Sequence, residues 1–192
     1  MSFENALQRH LQTFKRLPEI QADVDTLAAQ IATTFAAGGK LLLMGNGGSA
    51  ADSQHLAAEF VVRYKAERRA LPAIALTVDT SILTAHSNDY SFDSVFTRQI
   101  EALCQPRDLV IGLSTSGNSA NVIHAIEAAQ TIGAVCWAWT GENGGKLNSI
   151  ADHLIKAPST ETARIQEAHL FIGHWLCEAM DRQFSTAEET SS

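Results

Sequence analysis

Two loops and two helices carry the residues of this chain that could do chemistry. Ser114-Thr115-Ser116-Gly117-Asn118-Ser119 follows an apolar strand-like run and opens a helix. Four hydroxyls and the unpaired N–H groups of a helix start would converge there at a positive helix end, an arrangement that holds phosphate. The lysine of a G-x-x-x-x-G-K-[ST] loop is missing, so a nucleoside triphosphate with its magnesium is not expected. The bland alternative is an N-cap-rich turn with no ligand. Gly45-Asn46-Gly47-Gly48-Ser49-Ala50 fits the dinucleotide pattern G-x-G-x-x-A. Its acidic partner would be Asp79, which stands 34 residues beyond Gly45 where about 20 are expected. The serine loop has no place in a dinucleotide site. The two loops together therefore point to a sugar phosphate and to no nucleotide cofactor, against the alternative of a tight turn that needs glycine for its dihedrals.

His55 and Glu59 are four apart on the helix after the first loop and share a face, which Arg63 continues. Such a pair can clasp a metal, form an acid–base couple, or simply be a polar surface pair. The last helix carries Arg164, Gln166, Glu167, His169 and His174. Gln166 and His174 are separated by about 80° and roughly 12 Å along the axis. They would meet one ion only by stretching toward each other, unless one serves a neighbouring subunit. Asn88-Asp89 interrupts a helical stretch, either as a turn or as a polar contact to substrate.

The elements that must position these groups are readable from periodicity. Residues 3–16 and 21–37 have helical spacing, and Gly38-Gly39 stops the second. Strands are expected at 40–44, 73–78, 108–113, 134–140 and 152–157. Helices are expected at 50 to about 66, across 79–103 with a break near Asn88-Asp89, at 120–131, and at 163–183. Short apolar strands alternating with helices predict an α/β chain with a parallel sheet covered on both faces. Ligands of such sheets sit beyond the carboxyl ends of the strands, where both loops fall. One domain is expected over 1–192: helices at 3–37, a core at 40–183 and a frayed tail at 185–192. Trp137, Trp139 and Trp175 read as core or interface residues.

Composition narrows the classes. The chain has 192 residues, 45% of them apolar, and a net charge of −7, which suits a globular protein and not a nucleic-acid binder. Its basic cluster is Arg63, Lys65, Arg68 and Arg69. No apolar run reaches 18 residues and the amphipathic start has no signal-like pattern, so neither a membrane span nor a secretory leader is expected. Cys104, Cys136 and Cys177 are odd in number and widely spaced, which predicts reduced, mostly buried thiols.

The pieces GNGGSAADSQHLAAEF (45–60), ALPAIAL (70–76), Asn88-Asp89, LSTSGNSANVIHAIEAA (113–129), TGENGGKL (140–147) and ARIQEAHLFIGH (163–174) span most of residues 40–180. With them the chain resembles the sugar isomerase (SIS) domain family, and within it the phosphoheptose isomerases. The resemblance implies a flavodoxin-like, three-layer fold with five parallel strands, and a cytoplasmic homotetramer with sites at subunit interfaces. It implies conversion of sedoheptulose 7-phosphate to D-glycero-D-manno-heptose 7-phosphate, toward the ADP-heptose of lipopolysaccharide cores. Carried over, Ser114, Thr115, Ser116 and Ser119 hold the phosphate. Asn46, Gly47, Gly48, Ser49, Asp89 and Gln166 contact substrate. Glu59 is the base and His174 the acid, and one zinc per subunit sits on His55, Glu59, Gln166 and His174. Two points depart or compete. Ala163 replaces an aspartate that some members carry, whose role would be lost or moved to Glu161. A non-catalytic relative binds the replication initiator DnaA, but it lacks the glutamate present here as Glu59.

Overall fold

The computed structural model describes residues 2–185. Helices α1 (Phe3–Arg16) and α2 (Gln21–Ala36) precede the first strand. There follow β1 (Leu41–Gly45), α3 (Gly48–Val61), β2 (Ala73–Ala75), α4 (Thr80–Asp89), α5 (Val95–Leu103), β3 (Leu109–Leu113), α6 (Ala120–Ile132), β4 (Val135–Gly141), β5 (His153–Ala157) and α7 (Thr162–Phe184). The five strands form one parallel sheet in the order β2-β1-β3-β4-β5, the expected α/β architecture.

Strand residues alternate between two cores because successive side chains leave opposite faces of a strand. Leu41, Leu43, Leu109, Ile111, Trp137 and Trp139 pack under α2, α3 and α7. Leu42, Met44, Val110, Cys136 and Ala138 pack under α5 and α6. Gly133 ends α6 with φ +97°, a left-handed cap. At the amino ends of β1 and β3, Asp108 accepts from the backbone and side chain of Lys40. The three thiols are free; Cys136 and Cys177 are buried and Cys104 is half-buried.

The structure corrects three boundaries. Helix α3 starts at Gly48 and ends at Val61, not near residue 66. The guanidinium of Arg68 takes the carbonyls of Glu59 (2.7 Å) and Phe60 (2.9 Å), so the chain turns back instead of continuing the helical ladder. Strand β2 stops at Ala75, because the Thr77 carbonyl accepts from Gln54 and Asp79 already caps α4 through Ile82 N–H. Ser185, expected in the frayed tail, bridges Arg68 in antiparallel fashion; the rest of that tail lies outside the described residues.

His169 is fully buried on α7, with Nε2 donating to the Thr140 carbonyl at 3.0 Å. Burial lowers its pKa to about 4, against the partial support of that hydrogen bond. Between about pH 4 and 6.5 the unfolded chain therefore binds more protons at this residue, and stability rises with pH. Acidification from pH 7 to 4 is expected to cost about 3 kcal/mol at His169. Urea midpoints at pH 7 and pH 4.5 should differ less for His169→Gln than for the parent chain; equal differences would remove this role.

Candidate active site

The sheet order reverses direction between β1 and β3, since β2 lies to one side of β1 and β3 to the other. That switch point opens a crevice beyond the strand ends. Gly45 and Leu113 end their strands in register, so both loops start at one level. Gly47 takes φ +55° at the head of α3. A Cβ on Gly48 would lie 2.3 Å from Gln166 Nε2, so glycine here is what lets Gln166 of α7 reach the first loop. Ser49 is buried. Asn46 does not present a free amide to a ligand: its side chain and that of Asn121 exchange two hydrogen bonds, at 2.9 and 2.8 Å. This pair locks the two loops together. Asn121 went unsingled in the sequence because its partner is far away along the chain, although it stands in the SGNSAN stretch that drew attention.

In the serine loop, the hydroxyls of Ser114 and Ser119 lie 2.9 Å apart. Ser119 occupies the N-cap of α6 without spending its hydroxyl on a capping bond. Ser114 is buried, while Ser116 is exposed and Thr115 half-buried. The loop is pressed against the turn after β4: a Cβ on Gly117 would lie 2.0 Å from the Gly144 carbonyl, and the Gly117 carbonyl accepts from Leu147 N–H at 3.0 Å. A cavity of about 310 Å³ opens beside Thr115, Ser116, Asn118, Glu142 and Thr160. The helix α6 directs its positive end at this loop, and neutral donors plus a dipole suit a single phosphoryl group.

The acid–base groups gather two turns further along α3. His55 Nε2 and His174 Nε2 are 2.8 Å apart, so one imidazole donates and the other accepts. Glu59 Oε1 lies 3.7 Å from His55 Nε2. Tyr64 stacks on His174 with centroids 5.4 Å apart. His174 sits below its ordinary pKa, first from burial and then from His55, with Glu59 pulling the other way. Asp52 was not singled out from the sequence, yet it shares the α3 face of Gly48, His55 and Glu59. Burial raises its pKa, His55 opposes that shift, and its Oδ2 is buried without a partner.

Of the four donors expected to hold zinc, three lie together, with His55 and His174 Nε2 2.8 Å apart and Glu59 3.7 Å from His55, while Gln166 sits at the first turn of α3. Two imidazoles and a carboxylate are zinc-competent types, but the imidazoles hydrogen-bond each other and Gln166 packs at Gly48. Among the described residues no group of three or more His, Cys, Asp or Glu is drawn in to metal-ligand spacing. Asp89 is exposed at the end of α4 and accepts from Asn88. Glu161 accepts from Arg9 of α1 at 2.9 Å, so it ties down the N-terminal helix. The basic cluster is spent on structure: Arg63 on Glu67, Lys65 on Glu178, Arg68 on Asp181, and Arg69 over the Phe184 ring.

Comparison with known proteins agrees with this geometry. The family model of the SIS domain matches residues 2–141. A phosphoheptose isomerase of Aquifex aeolicus is 58% identical over 155 residues, 81% of each chain. The solved phosphoheptose isomerase of Neisseria gonorrhoeae superimposes with a TM-score of 0.87 at 39% identity, covering 93% of this chain and 96% of that one. The Francisella tularensis enzyme gives 0.88 at 30% identity, covering 95% and 100%. A phosphate-type cradle and an acid–base group on adjoining helices, in a chain this similar to these enzymes over most of its length, make it a member of the phosphoheptose isomerase family of SIS-domain isomerases.

Proposed function

We propose that this chain interconverts sedoheptulose 7-phosphate and D-glycero-D-manno-heptose 7-phosphate. The observation that carries the proposal is the division of α3: the loop that opens it is tied by Asn46 to Asn121 at the serine-loop end of α6, and about three turns on it presents Glu59 beside the His55–His174 pair. A sugar phosphate held at one end would extend its carbonyl carbons toward the other. Ser114, Thr115, Ser116 and Ser119 grip the phosphate with the α6 dipole behind them. Gly47, Gly48 and Ser49 line the sugar through their backbone, Asn46 through its main chain, and Gln166 through its amide. Asp89, exposed at the end of α4, adds a polar contact to the substrate.

Aldose–ketose isomerisation moves a proton between C1 and C2 of the open-chain sugar. Glu59 lifts the C1 proton of the ketose and returns it to C2 of the enediol. His174 carries the balancing proton between the two oxygens. Its lowered pKa keeps the imidazole neutral near pH 7, able to give one proton and take another, and the contact with His55 orients it. The phosphate grip supplies binding energy that is spent on orientation.

Assembly and cofactor complete the proposal. Phe3, Leu7 and Leu11 of α1 are exposed, as is Phe171 of α7, and an apolar groove of about 420 Å³ runs between Phe14, Ile20 and Trp175. Such a surface supports burial between copies in a homotetramer. No helix among the described residues is long and apolar enough to cross a membrane, in keeping with a cytoplasmic enzyme supplying lipopolysaccharide core synthesis. The donor types of His55, Glu59, Gln166 and His174 suit one zinc per subunit, which would polarise the substrate oxygens as a Lewis acid.

Glu59→Gln is expected to fold normally and to lose about 10²–10⁴-fold in kcat; near-normal turnover would remove the base. Ser119→Ala should raise KM for the sugar phosphate by roughly 10-fold or more, as expected for a lost hydrogen bond to a charged group, and an unchanged KM would count against the phosphate grip. Elemental analysis of protein purified without chelators is expected to find about one zinc per chain. Metal-free protein with full turnover would take zinc out of the proposal.

A further inference from the structure

We infer that the buried pair Arg68–Asp181 is a positioning clamp for the acid–base group; the inference rests on the isomerase reading above. Arg68 and Asp181 have side chains 0% and 3% exposed. Arg68 Nε donates to Asp181 Oδ1 at 2.7 Å. The other carboxylate oxygen accepts from the backbone of Lys65 (2.6 Å) and Ala66 (2.8 Å). The remaining guanidinium nitrogens donate to the carbonyls of Glu59, Phe60 and Arg69. Every arm of the fork is thus used, and one of them holds the main chain of Glu59 itself.

Asp181 lies seven residues after His174 on α7, two turns on and within about 20° of the same face. The clamp therefore grips the helix of the base at the base, and the helix of the acid two turns from the acid. The opposite end of the same helix pair is set by Gly48 against Gln166. His55, Glu59 and His174 lie between these two fixed points. A shift of about 1 Å in such groups can cost a hundredfold in rate, and without the clamp only the His55–His174 contact would link the reacting side chains across the two helices.

Stability does not account for the pair. A buried ion pair is often no better than well-packed apolar residues of similar volume. An apolar pair cannot hold a carbonyl, and the compact ammonium of a lysine lacks the planar fork whose separate nitrogens reach Asp181 and the three carbonyls at once. The pair also differs from its exposed neighbours Arg63–Glu67 and Lys65–Glu178, which solvent screens. Lys40–Asp108, at the amino ends of β1 and β3, is the comparable largely buried pair away from the site.

The test compares Arg68→Lys with Lys40→Arg in the full-length protein, using sedoheptulose 7-phosphate. Arg68→Lys keeps the charge beside Asp181 but loses the fork. Its kcat is expected to fall at least 10-fold with KM within twofold, because the phosphate loops are untouched. Lys40→Arg should keep kcat within twofold whatever it does to the melting temperature. A kcat within twofold of the parent for Arg68→Lys, or equal losses in both variants, overturns the clamp. Should Arg68→Lys not fold, Asp181→Asn, which keeps an acceptor for the backbone N–H groups, is judged by the same two limits. An inert parent protein would instead reject the substrate reading. The clamp is then decided by the ring-proton NOE between His55 and His174, weakened in Arg68→Lys and kept in Lys40→Arg if the inference holds, and equal in both if it fails.

Discussion

The active arrangement depends on how closely α3 and α7 approach. Two glycines set that distance. A Cβ on Gly173 would lie 2.5 Å from Leu56 Cδ2, and one on Gly48 would strike the Gln166 amide. Such contacts run in the same order along both helices, so the two lie parallel on one face of the sheet. Only at this spacing can imidazoles from different helices meet at 2.8 Å. A methyl group at Gly173 would have to displace a close-packed leucine, and interiors at crystal-like density yield little.

Binding and reaction are separated along one rod. The first turn of α3 belongs to the crevice at the sheet's switch point, where helix dipoles and backbone N–H groups favour an anion. Its third turn belongs to the titrating groups. The loops that would hold the anion are already ordered by one another, through Asn46 with Asn121 and Gly117 with the Gly144–Gly145 turn. A ligand arriving there has little loop entropy to remove, which is where preorganised sites gain affinity.

Much of this was legible in the sequence where the signal is local. The helices over 3–16 and 21–37 match the structure to within a residue, because apolar spacing and Gly38-Gly39 lie within the segment itself. Strand positions followed from short apolar runs, and the loops from glycines and hydroxyls in sequence. What could not be read comes from partners distant along the chain. The end of α3 has no local stop: Arg68 supplies it from beyond the helix, held by Asp181 in the last one. The pairing of the Asn46 amide with Asn121 joins residues 75 apart in the chain, and no local pattern announces it. Gln166 packs at Gly48 and His174 meets His55, so their separation of about 80° and roughly 12 Å along α7 sets them against different turns of α3.

The order in which the chain is made gives α7 a further consequence. Sheet, phosphate loops and Glu59 all lie before residue 160, whereas His174 and Asp181 arrive with the final helix. A chain emerging from the ribosome can thus pair its parallel strands and form both glycine- and serine-rich loops while still lacking the helix that carries His174. Contacts between segments this far apart close late, after the loop-closure entropy has been overcome. Until α7 docks, Leu56 and Phe60 of α3 lack the part of their cover that Ile172 and Leu176 supply, so the same event that completes this core also brings His174 to His55. A chain released before α7 is made keeps apolar surface of α3 exposed, which is where partly folded chains associate.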